Sequence, residues 1–339
     1  MPARVSAPER TDPQGRATVP PGPLPGAIAQ RIEDWIPLET WSETNHFGPP
    51  QEPVSGPGSG WELRAPGGVI SLTVGSQLAR LNGVSWWLGY APRLAEGGLL
   101  VHPLDAGKNL LPLANPQVFP GDTDRVVVID PGHGGENTGT RSVADRRFEK
   151  EFTLDWALRL QPLLQSNGWK VILTRTRDID VSLADRVAVA DRAHAGLFVS
   201  LHFNSGARPD QAGLETYCLT PAGLPSTLTR EFEDDVTRTY PNNAFDTQNL
   251  QFALRLHRCL IETTARADRG VRRARFMSVL REQQRPAVLV EGGYLSNPRE
   301  AEAIGAPQFR QRLAEAVARA LEFGQYPAPR GEATGGTRP

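Results

Sequence analysis

The chain has 339 residues, a formal net charge of −1 and 39% hydrophobic residues. A chain of this length can bury a large core without disulfide bonds, and its balanced charge argues against a dedicated nucleic-acid-binding protein. No apolar run approaches the roughly 18 residues that a transmembrane segment needs, and no export signal is visible in the chain. For Cys218 and Cys259 we expect two buried free thiols rather than a disulfide bond.

The two ends of the chain differ in composition from the rest. Residues 1–33 are rich in Pro, Gly, Arg and Ser, and residues 326–339 are rich in Gly and Pro. Such segments contain too few apolar side chains to offset the entropy of ordering them. We therefore predict a disordered N-terminal segment over 1–33 and a disordered tail over 326–339.

Residues 34–118 have the pattern of a small β-rich domain. Residues 68–74 alternate apolar and polar side chains, and Asn82-Gly83 is a hairpin-turn signal. The stretch VGSQLARLNGVSWWLGYAPRLAEGGLLVHPLD weakly resembles the copper-amine-oxidase-like N-terminal domain of some bacterial envelope proteins. Trp86 and Trp87 could stack on a glycan, although tryptophans in so small a domain are more often part of the core.

From residue 124 to residue 325 the pattern changes to alternating strands and helices. Apolar runs such as 126–129 are typical of parallel strands that are buried on both faces. The other predicted strands cover 170–174, 197–201, 213–219 and 286–290, and the predicted helices begin near 150, 182, 246 and 297. This alternation predicts an α/β fold with a mostly parallel central sheet and helices on both faces.

Polar side chains stand where three of these strands are predicted to end. His133 follows the strand 126–129 within a glycine-rich loop, His202 directly follows 197–201, and Glu291 directly follows 286–290. Ligands of open α/β sheets bind at the carboxyl ends of the strands, and two imidazoles with a carboxylate can hold a catalytic zinc ion. The intervals between these residues are far longer than in compact metal motifs, so a metal site and a set of hydrogen-bonding anchors both stay open.

Five ordered blocks then carry a family resemblance. They are VVVIDPGHGGENTG, FEKEFTLDWALRL, VILTRTRDIDVSLADRVAVADRAHAGLFVSLHFNS, GLETY and ADRGVRRARFMSVLREQQRPAVLVEGGYLSNPREAEAI. Together they resemble the zinc-dependent N-acetylmuramoyl-L-alanine amidases of the AmiA, AmiB, AmiC and LytC type. The resemblance implies a zinc amidase catalytic domain over 124–325 that hydrolyses the amide between N-acetylmuramic acid and L-alanine in peptidoglycan.

The same resemblance assigns residues to roles. It implies one Zn²⁺ held by His133, Glu149 and His202, with Glu291 as the catalytic general base. Glu149 is preferred over the neighbouring Glu151 because Glu149-Lys150 keeps the spacing of the family. The residues by themselves would not have revealed Glu149 as a ligand.

The resemblance also implies a location and partners. Peptidoglycan as substrate implies the periplasm or cell envelope, and an activator protein of the envelope is a further candidate partner. Two alternatives belong to other classes: a zinc peptidase that acts on cell-wall peptides, and a non-catalytic peptidoglycan-binding protein on the same fold.

For several other residues the sequence supports only more general predictions. We expect Asp130 to orient the His133 loop and Arg186 to anchor its helix through an ion pair. His257, on an apolar helix face, is more often a hydrogen-bonded core residue than a ligand. Glu215 could line the cleft or be structural. The long connection 221–246 could be a lid over the site, although an ordinary surface excursion is slightly favoured.

Overall fold

The structure is a computed structural model that describes residues 10–11, 17–18, 34–52, 60–116, 125–229 and 233–322. Most of the predicted disordered segment 1–33 and the whole predicted tail 326–339 lie outside the described residues. Within the former, β1 (Arg10–Thr11) and β2 (Ala17–Thr18) pair as antiparallel strands.

The next part of the chain is dominated by short strands, as its pattern predicts. Its elements are β3 (Ile36–Pro37), α1 (Leu38–Thr44), β4 (Trp61–Ala65), β5 (Gly68–Leu72), β6 (Leu78–Leu81), β7 (Val84–Trp87), β8 (Arg93–Ala95), β9 (Gly98–Val101), α2 (Pro103–Asp105), a π-helical turn (Ala106–Leu110) and α3 (Leu111–Ala114). Asn82 and Gly83 form the tight turn between β6 and β7, with φ angles of 50° and 82°. Two successive positive φ angles match the twist of a two-residue hairpin.

Strands and helices alternate through the remainder. These elements are β10 (Val126–Pro131), α4 (Glu149–Ser166), β11 (Lys170–Leu173), α5 (Leu183–Arg192), β12 (Leu197–Asn204), β13 (Leu214–Cys218), a 3₁₀ turn (Pro241–Phe245), α6 (Asp246–Thr264), β14 (Asp268–Arg273), α7 (Ser278–Arg281), β15 (Ala287–Tyr294), α8 (Pro298–Gly305) and α9 (Pro307–Ala320). None of the helices in the described part of the chain is long and apolar enough to cross a membrane.

One ten-stranded sheet joins both parts of the chain, in the order β11-β10-β12-β15-β13-β14-β7-β6-β5-β4. The first four strands are mutually parallel. β13 runs antiparallel to β15, and β14 and β7 follow in the direction of β13. β7 to β4 then form an antiparallel meander, so the strands of the predicted β-rich domain continue the same sheet without a break.

The helices cover two faces of the sheet. Val127 and Ile129 of β10 pack in one apolar cluster with α4, α6 and α9, whereas Val128 packs in a second cluster with α5 and α7. The apolar run of β10 is therefore explained by burial on both faces. The predicted fold class, an α/β fold with a mostly parallel sheet between helices, is confirmed.

Several elements differ from their predicted bounds. The charged strand β14 was not predicted, and the single predicted C-terminal helix is two helices separated at Ala306, before Pro307. β12 and β15 extend beyond their predicted ends. As a result, His202 and Glu291 lie within strands rather than after them, because the ladder between β12 and β15 continues through both residues.

Candidate active site

Three side chains from separate elements converge at one edge of the sheet. His133 lies in the loop after β10, Glu149 is the first residue of α4, and His202 lies near the end of β12. Glu149 Oε1 is 3.1 Å from His133 Nε2 and 3.1 Å from His202 Nδ1. One potential ligand atom from each residue lies within 4.8 Å of the other two. Two imidazole nitrogens and a carboxylate oxygen at this separation form a donor set that zinc accepts.

Glu149 is fixed by its backbone surroundings. Its Oε1 accepts a hydrogen bond from the Phe203 amide at 2.9 Å, and its Oε2 accepts one from the Thr140 amide at 3.0 Å. Burial would raise the pKa of this carboxyl group, but His133 and His202 outweigh burial and hold the pKa well below its ordinary value. Glu149 is therefore an anion at neutral pH.

The proton on His133 is placed by a neighbouring amide. His133 Nδ1 lies 2.8 Å from Asn137 Oδ1, and an amide oxygen can only accept a hydrogen bond. Nδ1 therefore donates, and Nε2 faces the Glu149 carboxylate. A carboxylate beside Nε2 requires a proton or a metal ion between them, and a partner on the other ring nitrogen is typical of metal-binding histidines. Without a metal, Glu149 outweighs burial and raises the pKa of His133.

Two glycines leave space for these side chains. A Cβ atom on Gly132 would lie 2.3 Å from His202 Nε2, and one on Gly139 would lie 2.6 Å from Glu149 Oε2. The backbone can approach the three side chains closely only because neither glycine carries a Cβ. The residues present therefore fit a bound zinc ion, although their role as its ligands stays a prediction.

Buried charges hold the loop that carries His133. Asp130 Oδ1 accepts a hydrogen bond from Arg186 Nη1 at 2.5 Å, and Arg186 Nη2 donates to the His133 carbonyl at 2.8 Å. Arg175 Nη2 donates to the Gly132 carbonyl at 2.9 Å. The expected roles of Asp130 as an anchor of the loop and of Arg186 as an ion-pair partner are thus confirmed.

Asp130→Ala is expected to lower the free energy of unfolding by about 3–5 kcal/mol, because it leaves Arg186 buried without its counter-ion. Urea denaturation of the variant and the wild type measures this. The matched control is Asp210→Ala, which removes an exposed partner of Arg208 and should cost less than about 1 kcal/mol. Equal losses in both variants would contradict the anchoring role.

Glu291 lies one strand away from His202 on the same face of the sheet. The two residues are register partners between the parallel strands β12 and β15. Side chains of paired residues point to the same face, so Glu291 and His202 present their side chains on the same face of the sheet. Only 7% of Glu291 is exposed. It is not among the three residues that could share one ion within the described residues.

The next strand places a second carboxylate beside Glu291. Glu215 of β13 is its antiparallel register partner. Five groups donate hydrogen bonds to Glu215: Asn204 Nδ2, the Tyr217 and Tyr294 hydroxyls, and the Nε atoms of Arg269 and Arg272. Burial would raise the pKa of Glu215, but the charges of Arg272 and Arg269 outweigh it and lower the pKa. Glu215 therefore organises this side of the site as a fixed anion.

Other residues that the sequence singled out are buried in the fold. His257 is buried between Thr216 Oγ1 and Asp268 Oδ1, each at 3.0 Å, as expected of a core histidine. Trp86 is fully buried in the core. Cys218 and Cys259 are free and buried, as expected.

The connection 221–246 leaves the sheet at the C-terminal end of β13, whose N-terminal end lies beside Glu291. Within this connection, Asp234 Oδ1 forms an ion pair with Nη1 of the buried Arg275 at 2.6 Å. Residues 230–232 lie outside the described residues, and a lid role for this connection stays a prediction.

The sequence interpretation missed several arginines that shape the site. Arg175 follows the end of β11, and this position at a strand end is a signal that could have indicated it. Arg269 and Arg272 belong to the strand that was not predicted. A cleft of about 430 Å³ opens beside the trio and is lined by His133, His202, Arg186 and neighbouring residues.

The chain is similar in sequence to known proteins of one family. The family model for N-acetylmuramoyl-L-alanine amidase matches residues 127–322. The chain is 30% identical to the amidase AmiA of Escherichia coli K12 over 215 residues, which cover 57% of this chain and 74% of the relative. It is 30% identical to the amidase AmiC of Neisseria meningitidis serogroup B over 217 residues, which cover 58% of this chain but only 52% of that protein.

The chain is also similar to a solved structure. The catalytic domain of CwlV, an N-acetylmuramoyl-L-alanine amidase from Bacillus (Paenibacillus) polymyxa var. colistinus, is 34% identical, with a TM-score of 0.48 and coverage of 57% of this chain and 94% of that one. Since the family model spans more than half of the chain and the relatives are identical at nearly a third of the aligned positions, the chain belongs to the family of N-acetylmuramoyl-L-alanine amidases, which are hydrolases of amide C–N bonds.

Proposed function

We propose that this protein hydrolyses the amide bond between N-acetylmuramic acid and L-alanine in peptidoglycan, with one zinc ion held by His133, Glu149 and His202. The observation that carries the proposal is the convergence of these three ligand atoms within 4.8 Å, with Glu291 in register beside His202. Family membership supports the choice of substrate.

Zinc, when bound, would lower the pKa of a coordinated water to near 7 and polarise the scissile carbonyl group. The residues of the chain supply the remaining steps. Glu291 accepts a proton from the attacking water and delivers a proton to the nitrogen of the leaving L-alanine. The loop held by Arg175 and Arg186 keeps His133 in place, so little reorganisation is needed during the reaction.

The cell envelope is the proposed place of action, because peptidoglycan lies outside the cytoplasmic membrane. A periplasmic location and an activator protein of the envelope stay predictions. Neither the peptidase alternative nor the non-catalytic alternative is favoured by a specific contact in the described residues.

Digestion of purified peptidoglycan tests the proposal. The soluble products are labelled at their amino groups and identified by mass spectrometry. New N-terminal L-alanine is the expected result. Cuts between amino acids of the stem peptides would indicate the peptidase instead, and binding without any new amino group would indicate a non-catalytic protein.

A further inference from the structure

A cluster of cationic and aromatic side chains lies beside Glu291, on the side away from the candidate metal ligands. We call Arg269, Arg272 and Trp87 the arginine cluster. The Nε atoms of Arg269 and Arg272 both donate to Glu215 Oε1, at 3.0 and 2.9 Å. The Arg272 guanidinium stacks 4.2 Å from the centre of the Trp87 ring, and Arg269 lies 5.2 Å from the centre of the Tyr294 ring.

A β-bulge brings the two arginines together. Leu214 pairs with Asp268 and Thr216 pairs with Val271, so β14 contains one residue more than β13 in this interval. Residues three apart in a regular strand point to opposite faces, whereas an inserted residue turns Arg269 and Arg272 to the same face. Gly270 carries the bulge with φ of 87°, and a Cβ there would lie 3.0 Å from the Ser85 carbonyl oxygen.

Both arginines of the cluster pair with the same buried carboxylate, that of Glu215. Two guanidinium groups meet one carboxylate, and both use Nε for that contact. Within the described part of the chain, their Nη1 and Nη2 atoms make no hydrogen bond. The Arg269 side chain is 30% exposed and that of Arg272 is 12% exposed. A planar guanidinium with open Nη donors is suited to bind a carboxylate.

The order of the strands indicates which part of a bound substrate would lie near the arginine cluster. The candidate metal ligands belong to β12 and to the neighbouring loop and helix, Glu291 belongs to β15, and the arginines lie two strands further on, in β14. In the proposed reaction Glu291 gives its proton to the leaving amine, so the peptide that carries this amine lies on the Glu291 side of the scissile carbonyl.

We propose that Arg269 and Arg272 bind a carboxylate of the leaving stem peptide, and that the bound group is the free α-carboxylate of its second residue. The proposal rests on the proposed function. Adjacent strands are about 4.8 Å apart, and the arginines reach back over β13 to Glu215, so they lie roughly 5–10 Å from the backbone of Glu291. An extended peptide advances about 3.4 Å per residue, which brings the second residue about 7 Å beyond the scissile bond.

The chemistry of the stem peptide matches this distance. The first residue, L-alanine, carries no side-chain charge. The second is D-glutamate linked through its γ-carboxyl group, which leaves the α-carboxyl group free unless it is amidated. The arginine cluster would therefore favour stem peptides with a free α-carboxylate over stem peptides with an amide at that position.

Two disaccharide muropeptides that differ only in this group, α-carboxylate or α-carboxamide, test the proposal. We expect the wild type to show a kcat/KM about 10- to 100-fold higher for the carboxylate form, mainly through KM, as charge-assisted hydrogen bonds imply. Arg269→Met should bring this ratio close to one, because the carboxylate form loses a charge-assisted partner, and Arg272 still pairs with Glu215 in the variant. The matched control Arg208→Met removes an exposed arginine and should keep the ratio.

Calorimetry adds a measurement that needs no turnover. Wild-type protein is titrated with the dipeptide L-alanyl-γ-D-glutamate and with its α-amide, and tighter binding of the acid is expected. Equal kcat/KM values and equal affinities would overturn the proposal. If the wild type cleaves neither muropeptide, the proposed function fails and the titrations still decide on the carboxylate site. If Arg269→Met does not fold, as judged by circular dichroism, the wild-type ratio decides.

Discussion

Glu291→Gln is expected to lower the rate of peptidoglycan amide hydrolysis by about 10²–10⁴-fold while the fold and zinc content stay intact. Gln has nearly the shape of Glu, so the pairing of β15 with β12 and β13 can persist. An amide cannot accept a proton from the attacking water. His133, Glu149 and His202 do not depend on Glu291 for their convergence, so zinc binding should survive.

Two measurements on the same preparation separate the possible roles of Glu291. Zinc content is determined by atomic absorption, and turnover by the release of N-terminal L-alanine. Glu302→Gln, an exposed change in α8, is the matched control and should behave as the wild type. Near-normal turnover of Glu291→Gln would mean that Glu291 only anchors the Gly292-Gly293 segment. Loss of zinc would make it a ligand.

The sequence predicts well those parts of the fold in which one local signal dominates. The run 126–129 predicts β10 because both of its faces are buried, and Ser182 predicts the start of α5 because its hydroxyl accepts a hydrogen bond from the Asp185 amide. The polar residues at the predicted strand ends likewise indicate His133, His202 and Glu291, because parallel strands bring their carboxyl ends to one edge of the sheet.

Parts that depend on long-range pairing are not predictable in this way. β14 consists largely of charged residues, and its arginines are tolerated in the sheet because Glu215, some 55 positions earlier in the chain, is their partner. The joining of β7 to β14 is likewise held by contacts distant in sequence. The Ser85 amide donates to Asp268 Oδ2 at 2.8 Å, and Trp87 Nε1 donates to the Arg269 carbonyl at 3.0 Å. The hydrophobic periodicity of neither segment predicts these contacts.

Glu149 could not be identified as a ligand from its local sequence, for a different reason. It opens a helix, a position where acidic residues are common because they favour the helix dipole, so nothing in its local pattern sets it apart. Its contact with His133 and His202 exists only when α4, β10 and β12 are assembled. The resemblance to a family selected Glu149 over Glu151. In the structure Glu151 Oε1 instead accepts a hydrogen bond from the Phe148 amide at the start of α4.

Glu149→Gln is expected to abolish stoichiometric zinc binding and, with it, amidase activity. The change removes the only carboxylate of the trio and the negative charge that lies between two imidazoles. The loss of zinc affinity should exceed the roughly 10- to 100-fold that follows removal of an outer hydrogen-bonding partner of a metal ligand. His202→Ala should give the same loss. Equilibrium dialysis with zinc measures the affinities.

Glu151→Gln is the matched control for this prediction, because it makes the same chemical change two residues away on the same helix. It should keep both zinc affinity and turnover. Ligand binding raises the stability of the folded state in proportion to the logarithm of ligand concentration over Kd, so added zinc should raise the Tm of the wild type and of Glu151→Gln. Glu149→Gln should show almost no zinc-dependent shift, and a chelator should lower the Tm of the wild type and abolish its activity until zinc is restored. A zinc-dependent shift in Glu149→Gln that equals the wild-type shift would show that the ion binds elsewhere, and full activity after verified zinc removal would exclude the metal from the reaction.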